Sequence, residues 1–255
     1  MKITPLSQRD SKWASLLLGF NTNSKYNIGD YGCLITCLAM VYNYYTGKSI
    51  TPSDMNEKLK ALGAGYGFSV GTGYYVWGAF PYVCTTVKES YKTTPSALTD
   101  TQMNAINSAV DAGYPVMLEI DFDPTDADVD MHWVLATKRN KDNENDITIN
   151  DPWTGTERSL KEYLGTAKKT ARSLIEAYVT YTGDILSDPT EDSTESNVEA
   201  SDDTVESLNE QIVDLKQQLS DMRDSRNKWK AYAGTTKDTL KSIVEAAEVA
   251  LNKEE

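Results

Sequence analysis

Apolar residues recur in steps of three and four in three stretches before Pro115 and gather into short runs between residues 116 and 181. Leu34, Leu38, Val41, Tyr42 and Tyr45 fall on one helical face, which predicts a helix from about residue 33 to 45 that stops before Gly47. Pro52-Ser53-Asp54 opens a second helix, striped by Met55, Leu59 and Leu62 and ended by Gly63. A third covers residues 99–112, with Met103, Ile106, Ala109 and Val110 on its face and Gly113 as its stop. After Pro115 the pattern changes. Residues 116–120, 132–138, 147–150 and 174–181 are short and rich in β-branched or aromatic side chains, so they read as strands. The polar run 140–146 is the turn of a hairpin, and a helix over roughly 159–168 precedes the last strand. Helices first and an antiparallel sheet afterwards make an α+β layout, not an alternating βαβ one.

Beyond residue 183 the pattern lapses and then returns. Residues 184–204 are rich in Ser, Thr, Asp and Glu and nearly devoid of apolar side chains, which predicts a solvated, disordered linker. Val205, Leu208, Ile212, Leu215, Leu219, Met222, Arg226 and Trp229 then alternate in steps of three and four, a heptad seam. Gly234 interrupts it, and Leu240, Val244, Ala247 and Leu251 resume it on a second helix. Neither stripe is wide enough for an independent globule, so 205–255 is expected to be a helical coiled-coil tail that pairs with further copies or with another partner, such as a virion component. Arg226, at a seam position, selects register at some cost in stability.

Charge and cysteine usage narrow the function. The net charge of −13 is concentrated in 184–204, which holds eight acidic residues and no Lys or Arg. The remainder is only mildly acidic, so binding to nucleic acid through phosphate contacts is not expected. Three cysteines, spaced 4 and 47 apart, form neither a disulfide framework nor a zinc site and read as reduced thiols. No apolar run reaches membrane-spanning length and the N-terminus has no signal-peptide core. The expectation is a chain made in the cytoplasm, with no cofactor and no metal. Gly71-x-Gly73 lacks the Gly-Lys-Ser/Thr of a phosphate loop. Asp121, Asp123, Asp126, Asp128 and Asp130 lack the Gly and closing Glu of a calcium loop, and are better placed to favour an imidazolium and to attract cationic substrate groups. Tyr74, Tyr75 and Trp77, in the glycine- and aromatic-rich stretch 63–80, are candidates for a cleft wall.

The candidate chemistry starts at Cys33. The turn Gly29-Asp30-Tyr31-Gly32 runs into the first helix with Cys33 at the junction, where free backbone N–H groups and the helix dipole favour a thiolate. Gly32 is expected to leave room for a substrate backbone. Cys37, one turn on between apolar flanks, is the weaker rival, and it and Cys84 read as structural. A nucleophilic thiol needs a base, and His132 is the one histidine in the chain. Pairing across the predicted hairpin sets His132 opposite residues 151–153, where Asp151 can orient the ring. The Cys33 backbone N–H and the Gln8 side-chain amide are the candidate oxyanion donors.

Gln8-Arg9-Asp10 with Trp13 close behind, Gly29-x-x-Gly32-Cys33 opening a helix, His132-Trp-Val-Leu135 and Asn150-Asp-Pro-Trp-x-Gly155 together resemble the papain-like cysteine peptidases of the bacteriocin-processing, double-glycine type, in particular their stand-alone bacterial and phage relatives. The similarity covers roughly residues 3–182. It implies a papain-like fold, N-terminal helices packed on an antiparallel sheet, over 1–183. It also implies Cys33 as nucleophile, His132 as base, Asp151 as orienting acid and Gln8 as oxyanion donor. Tyr31-Gly32 stands where transporter-linked members have Asp-Cys-Gly, and no ATP-binding or membrane portion follows, so a bacteriocin exporter is not expected. The implied activity is hydrolysis of peptide bonds, with peptidoglycan peptides as a candidate substrate and a phage structural or lytic component as the setting. The alternatives are a catalytically degenerate binding module on a coiled-coil stalk and a papain-like acyl transferase.

Overall fold

The computed structural model describes residues 1–95, 98–123, 130–140, 146–165 and 170–184, all within the unit Met1–Pro189. The linker and coiled-coil expectations, most of the 140–146 turn, Asp126 and Asp128 lie outside the described residues.

Six strands form one sheet in the order β1-β6-β2-β3-β4-β5: β1 (Val87–Glu89), β2 (Val116–Asp121), β3 (Met131–Arg139), β4 (Ile147–Asp151), β5 (Thr156–Ser159) and β6 (Ile175–Gly183). Every neighbouring pair is antiparallel. Both faces are covered. Met117, Trp133, Leu135, Val179 and Tyr181 point into one core, shared with α2 (Cys33–Thr46) and α3 (Pro52–Ala61). Val116, Leu118, Ile120, Val134, Ala136, Ile147 and Ile149 point into a second, against α5 (Asp100–Asp111). Burial on both sides is why residues 116–118 of β2 and 133–136 of β3 are continuous apolar runs, where a half-exposed strand would alternate.

The helix signals act as their chemistry predicts. Thr51 with Asp54, and Thr99 with Gln102, close reciprocal capping boxes at the starts of α3 and α5, with Pro52 in the first turn of α3. Helix α2 ends at Gly47, whose φ of 64° suits a residue without Cβ.

Several short elements differ from the sequence reading. A short helix, α1 (Ile28–Tyr31), precedes α2, capped by Asn27, whose side chain accepts from the Asp30 N–H. The helix expected over 159–168 is a 3-10 turn, Leu160–Tyr163, followed by α6 (Ala171–Leu174), with α4 (Phe80–Val83) the other short helix. Strands β1 and β5 are edge strands of three and four residues, too short and polar to show a period. Gly32 also has a different reason to be glycine. A Cβ there would lie 2.4 Å from the Ile28 carbonyl oxygen and 2.7 Å from Ile28 Cγ2, so its role is to let α1 fold back against the start of α2.

Candidate active site

Strand parity sets the site. His132 shares a face of β3 with Val134 and Ala136, and Asp151 shares that face of β4 with Ile147 and Ile149. Leu135 pairs with Asn150, and the two strands continue past that pair to bring the side chains together: His132 Nε2 lies 2.9 Å from Asp151 Oδ1. The other ring nitrogen, Nδ1, remains for Cys33, which is near enough to the imidazole to favour its charged form and lines the same cleft. Cys33 reaches it from the opposite side of the sheet because α2 is tied to β3 one turn lower, where the Cys37 thiol donates to the Trp133 carbonyl at 3.5 Å. No side chain caps the first turn of α2, so its N–H groups stay available at Cys33.

Gln8 joins the group through its backbone. Its N–H donates to the Pro152 carbonyl at 2.8 Å, and the Trp13 indole holds the preceding residue by donating to the Ser7 carbonyl at 2.8 Å. Gly155, at φ 71°, turns the chain after Asp151 so closely that a Cβ would lie 2.6 Å from Ser7 Cβ. These contacts give a physical reason for the distant pieces Gln8, Trp13 and Asp151–Gly155 to occur together. The Gln8 side chain is buried and donates from Nε2 to the Gly29 carbonyl at 2.9 Å, which leaves one amide N–H uncommitted.

Asp151 is wholly buried and collects five donors. Oδ1 accepts from His132 and from the Trp153 N–H at 2.9 Å; Oδ2 accepts from Thr154 Oγ1 at 3.0 Å, Arg158 at 3.2 Å and the Tyr163 hydroxyl at 2.8 Å. Burial alone would raise its carboxyl pKa, but the hydrogen bonds and the imidazolium charge win and hold it well below the usual carboxylate range. His132 shows the same contest with opposite sign. Burial opposes its charged form, yet hydrogen bonds and charge from Asp151 and Cys33 push the imidazole up to about 9. Phe122 stands edge-on to the ring at 5.0 Å and also packs on Trp153 and Tyr163, an aromatic wall that shields the pair from water.

These shifts fix a stability profile. The raised imidazole adds stability that is complete below pH 6.5 and is lost as the pH climbs through about 9. The lowered carboxyl adds stability present above pH 3.8 and lost as the pH falls below it. The melting temperature should therefore plateau between those limits and decline on the alkaline side. In Cys33→Ala, which removes one support of the imidazolium, the alkaline decline should begin at lower pH. Superimposable alkaline limbs would contradict the contact between the two side chains.

The pair opens on a cleft of about 890 Å³ whose walls include Gln8, Asp30, Tyr31, Cys33, the 71–75 loop, residues 130–133 and Trp153. Tyr74 and Tyr75 line it; Trp77 is not among the lining residues and packs against Trp133 at 5.2 Å. The rival thiols do not reach it. Cys37 is fully buried, and burial raises its pKa well above the thiol range; Cys84 is buried near Thr86 and is raised for the same reason. Among the described residues no group of three or more His, Cys, Asp or Glu can hold a metal ion, and no helix is long and apolar enough to cross a membrane. Asp121 is buried at the end of β2, and Asp130 lines the cleft wall. The residues that sequence reasoning missed are Thr154, Arg158 and Tyr163 on Asp151, and Phe122 against His132.

No curated relative matches the sequence. Among solved structures, a putative C39-like peptidase from Bacillus anthracis is similar at 15% identity and a TM-score of 0.39, over 72% of this chain and 100% of that one. The model of the Peptidase_C39-like family matches residues 2–173, most of the described fold and all of the site above, and the chain belongs to that family.

Proposed function

We propose that the protein is a cysteine peptidase that hydrolyses peptide bonds with Cys33 as nucleophile, His132 as general base and acid, and Asp151 as the residue that orients His132. The observation that carries it is one arrangement: a thiol at a helix start and an imidazole line the same open cleft, and the imidazole Nε2 lies 2.9 Å from a buried carboxylate. In the proposed reaction the sulfur of Cys33 attacks the scissile carbonyl carbon. The negative charge passes to the carbonyl oxygen, which the Cys33 N–H and the free N–H of Gln8 receive. His132 gives its proton to the leaving amine as the C–N bond breaks and a thioester remains. His132 then takes a proton from water, the hydroxide attacks the thioester, and the proton returns to sulfur as the acid leaves.

The cleft supports a peptide substrate with cationic side chains or free amines. Its acidic lining residues are Asp30 and Asp130, and no Lys or Arg lines it among the described residues. Peptides of the bacterial cell wall have this chemistry, and the resemblance to stand-alone bacterial and phage members of the family gives that setting. Reaction with iodoacetamide at neutral pH tests the site. Cys33 should be alkylated at least ~100-fold faster than Cys37 or Cys84, because it alone of the three is partly exposed and lies beside an imidazolium. His132→Ala should erase the preference. Equal, slow labelling of all three thiols would refute the peptidase assignment.

The tail is proposed to join copies of the chain through the seam from Val205 to Trp229. Light scattering of the full chain should give a multiple of 28.3 kDa, and Leu215→Asp with Leu219→Asp should return it to a monomer. A monomeric unmodified chain would rule out self-association.

A further inference from the structure

The far oxygen of Asp151 is served by side chains that the reaction above does not use. Arg158, on β5, donates to Oδ2 at 3.2 Å, and the Tyr163 hydroxyl, from the 3-10 turn, donates to it at 2.8 Å. The two brace one another, since the Arg158 guanidinium lies 4.9 Å over the Tyr163 ring and is held on its outer side by Glu162 at 2.7 Å. The Tyr163 ring also faces His132, with centroids 6.0 Å apart.

We propose that Arg158 and Tyr163 are positioning residues for this site: they pin Oδ2 of Asp151 so that Oδ1 stays on His132, and they draw off carboxylate charge that would otherwise over-stabilise the imidazolium. The inference rests on the peptidase assignment, because the setting of His132 matters only where that ring trades a proton with Cys33. The physical case is one of competing partners. A carboxylate bonded only to the ring would hold the proton most tightly and would be slow to release it to a leaving amine. A cationic donor and a phenol on the second oxygen oppose that hold, and they also remove the freedom of the carboxylate to swing about its last bond. The phenol is suited to this, because burial and then the nearby Asp151 charge push its pKa far up and keep it a donor. The charged and titratable groups that face the pair are Cys33 and Cys37 on α2, Arg158 on β5, and Glu162 and Tyr163 in the turn that follows.

Because the chain has a single histidine, its ring signals in an NMR titration of the full chain report His132 alone. Arg158→Met should raise the titration midpoint by about half a pH unit, and Tyr163→Phe, which deletes one oxygen, should raise it by a smaller step. Arg158→Lys keeps the charge and should bring the midpoint back toward the unmodified value. A merely structural role would lower the melting temperature of these variants and leave the midpoint in place. Unmoved or lowered midpoints in folded Arg158→Met and Tyr163→Phe, or no recovery with lysine, would overturn the proposal. Failure of the peptidase assignment looks different: the midpoint of the otherwise unmodified chain would be indifferent to Cys33→Ala.

Discussion

Cys33→Ala is expected to reduce peptide hydrolysis to background, a loss of at least ~10⁴-fold, in a protein that still folds. The argument is chemical. Every covalent step runs through the sulfur, and the two other thiols cannot replace it, since Cys37 is buried with its proton directed to the Trp133 carbonyl and Cys84 is buried beside Thr86. Alanine leaves a short gap at the cleft wall and no unpaired buried charge, so the fold survives. His132→Ala should cost about as much, and the double variant should be no worse than either single one, because thiol and imidazole act as one unit. Cleavage of peptides rich in lysine or free amines, followed by mass spectrometry, is the measurement. Retention of even a hundredth of the activity in Cys33→Ala would mean that the hydrolysis comes from elsewhere.

How much of this was legible in the sequence depended on length and polarity. Helices α2, α3 and α5 have ten or more residues, strands β2, β3, β4 and β6 are rich in β-branched or aromatic side chains, and each lies within a few residues of its expected place. Short elements carry no period. Ile28–Tyr31 is four residues around a glycine, and Thr156–Ser159 is polar throughout because an edge strand has one side open to water. In the helix read over 159–168, the described residues make a single 3-10 turn, in which Leu160 and Tyr163 point inward. The site divides along the same line. Cys33, His132 and Asp151 could be brought together from a lone histidine and the register of one hairpin. Arg158 and Tyr163 could not, since their route to Asp151 runs through β5 and the turn after it, the parts that left no pattern. Gly32 was legible as a required glycine, but the reason lay in α1, which was not.

Asp151 should show the largest joint effect on activity and stability, and two substitutions separate the two. Asp151→Ala removes the acceptor of five donors at a position with no access to water. One of those donors is the imidazolium of His132, whose charge would stay buried without a counter-ion, while Arg158 would keep Glu162. Such a loss costs about 3–5 kcal/mol, against about 1 kcal/mol for an exposed pair. Asp151→Asn keeps the volume and one acceptor oxygen, so it should melt well above Asp151→Ala. It nevertheless lacks the charge that, with Cys33, holds the imidazole up at about 9, and the His132 midpoint should fall toward 6.5. With less of the imidazolium formed at neutral pH, hydrolysis should drop by roughly 10–100-fold while the substrate KM stays near its original value, because Asp151 sits behind His132 and is not part of the cleft wall. An asparagine variant as unstable as the alanine one would show that the charge, not the hydrogen-bonding shape, holds this corner of the fold. An unchanged His132 midpoint would show that the carboxylate does not set the state of the base at all.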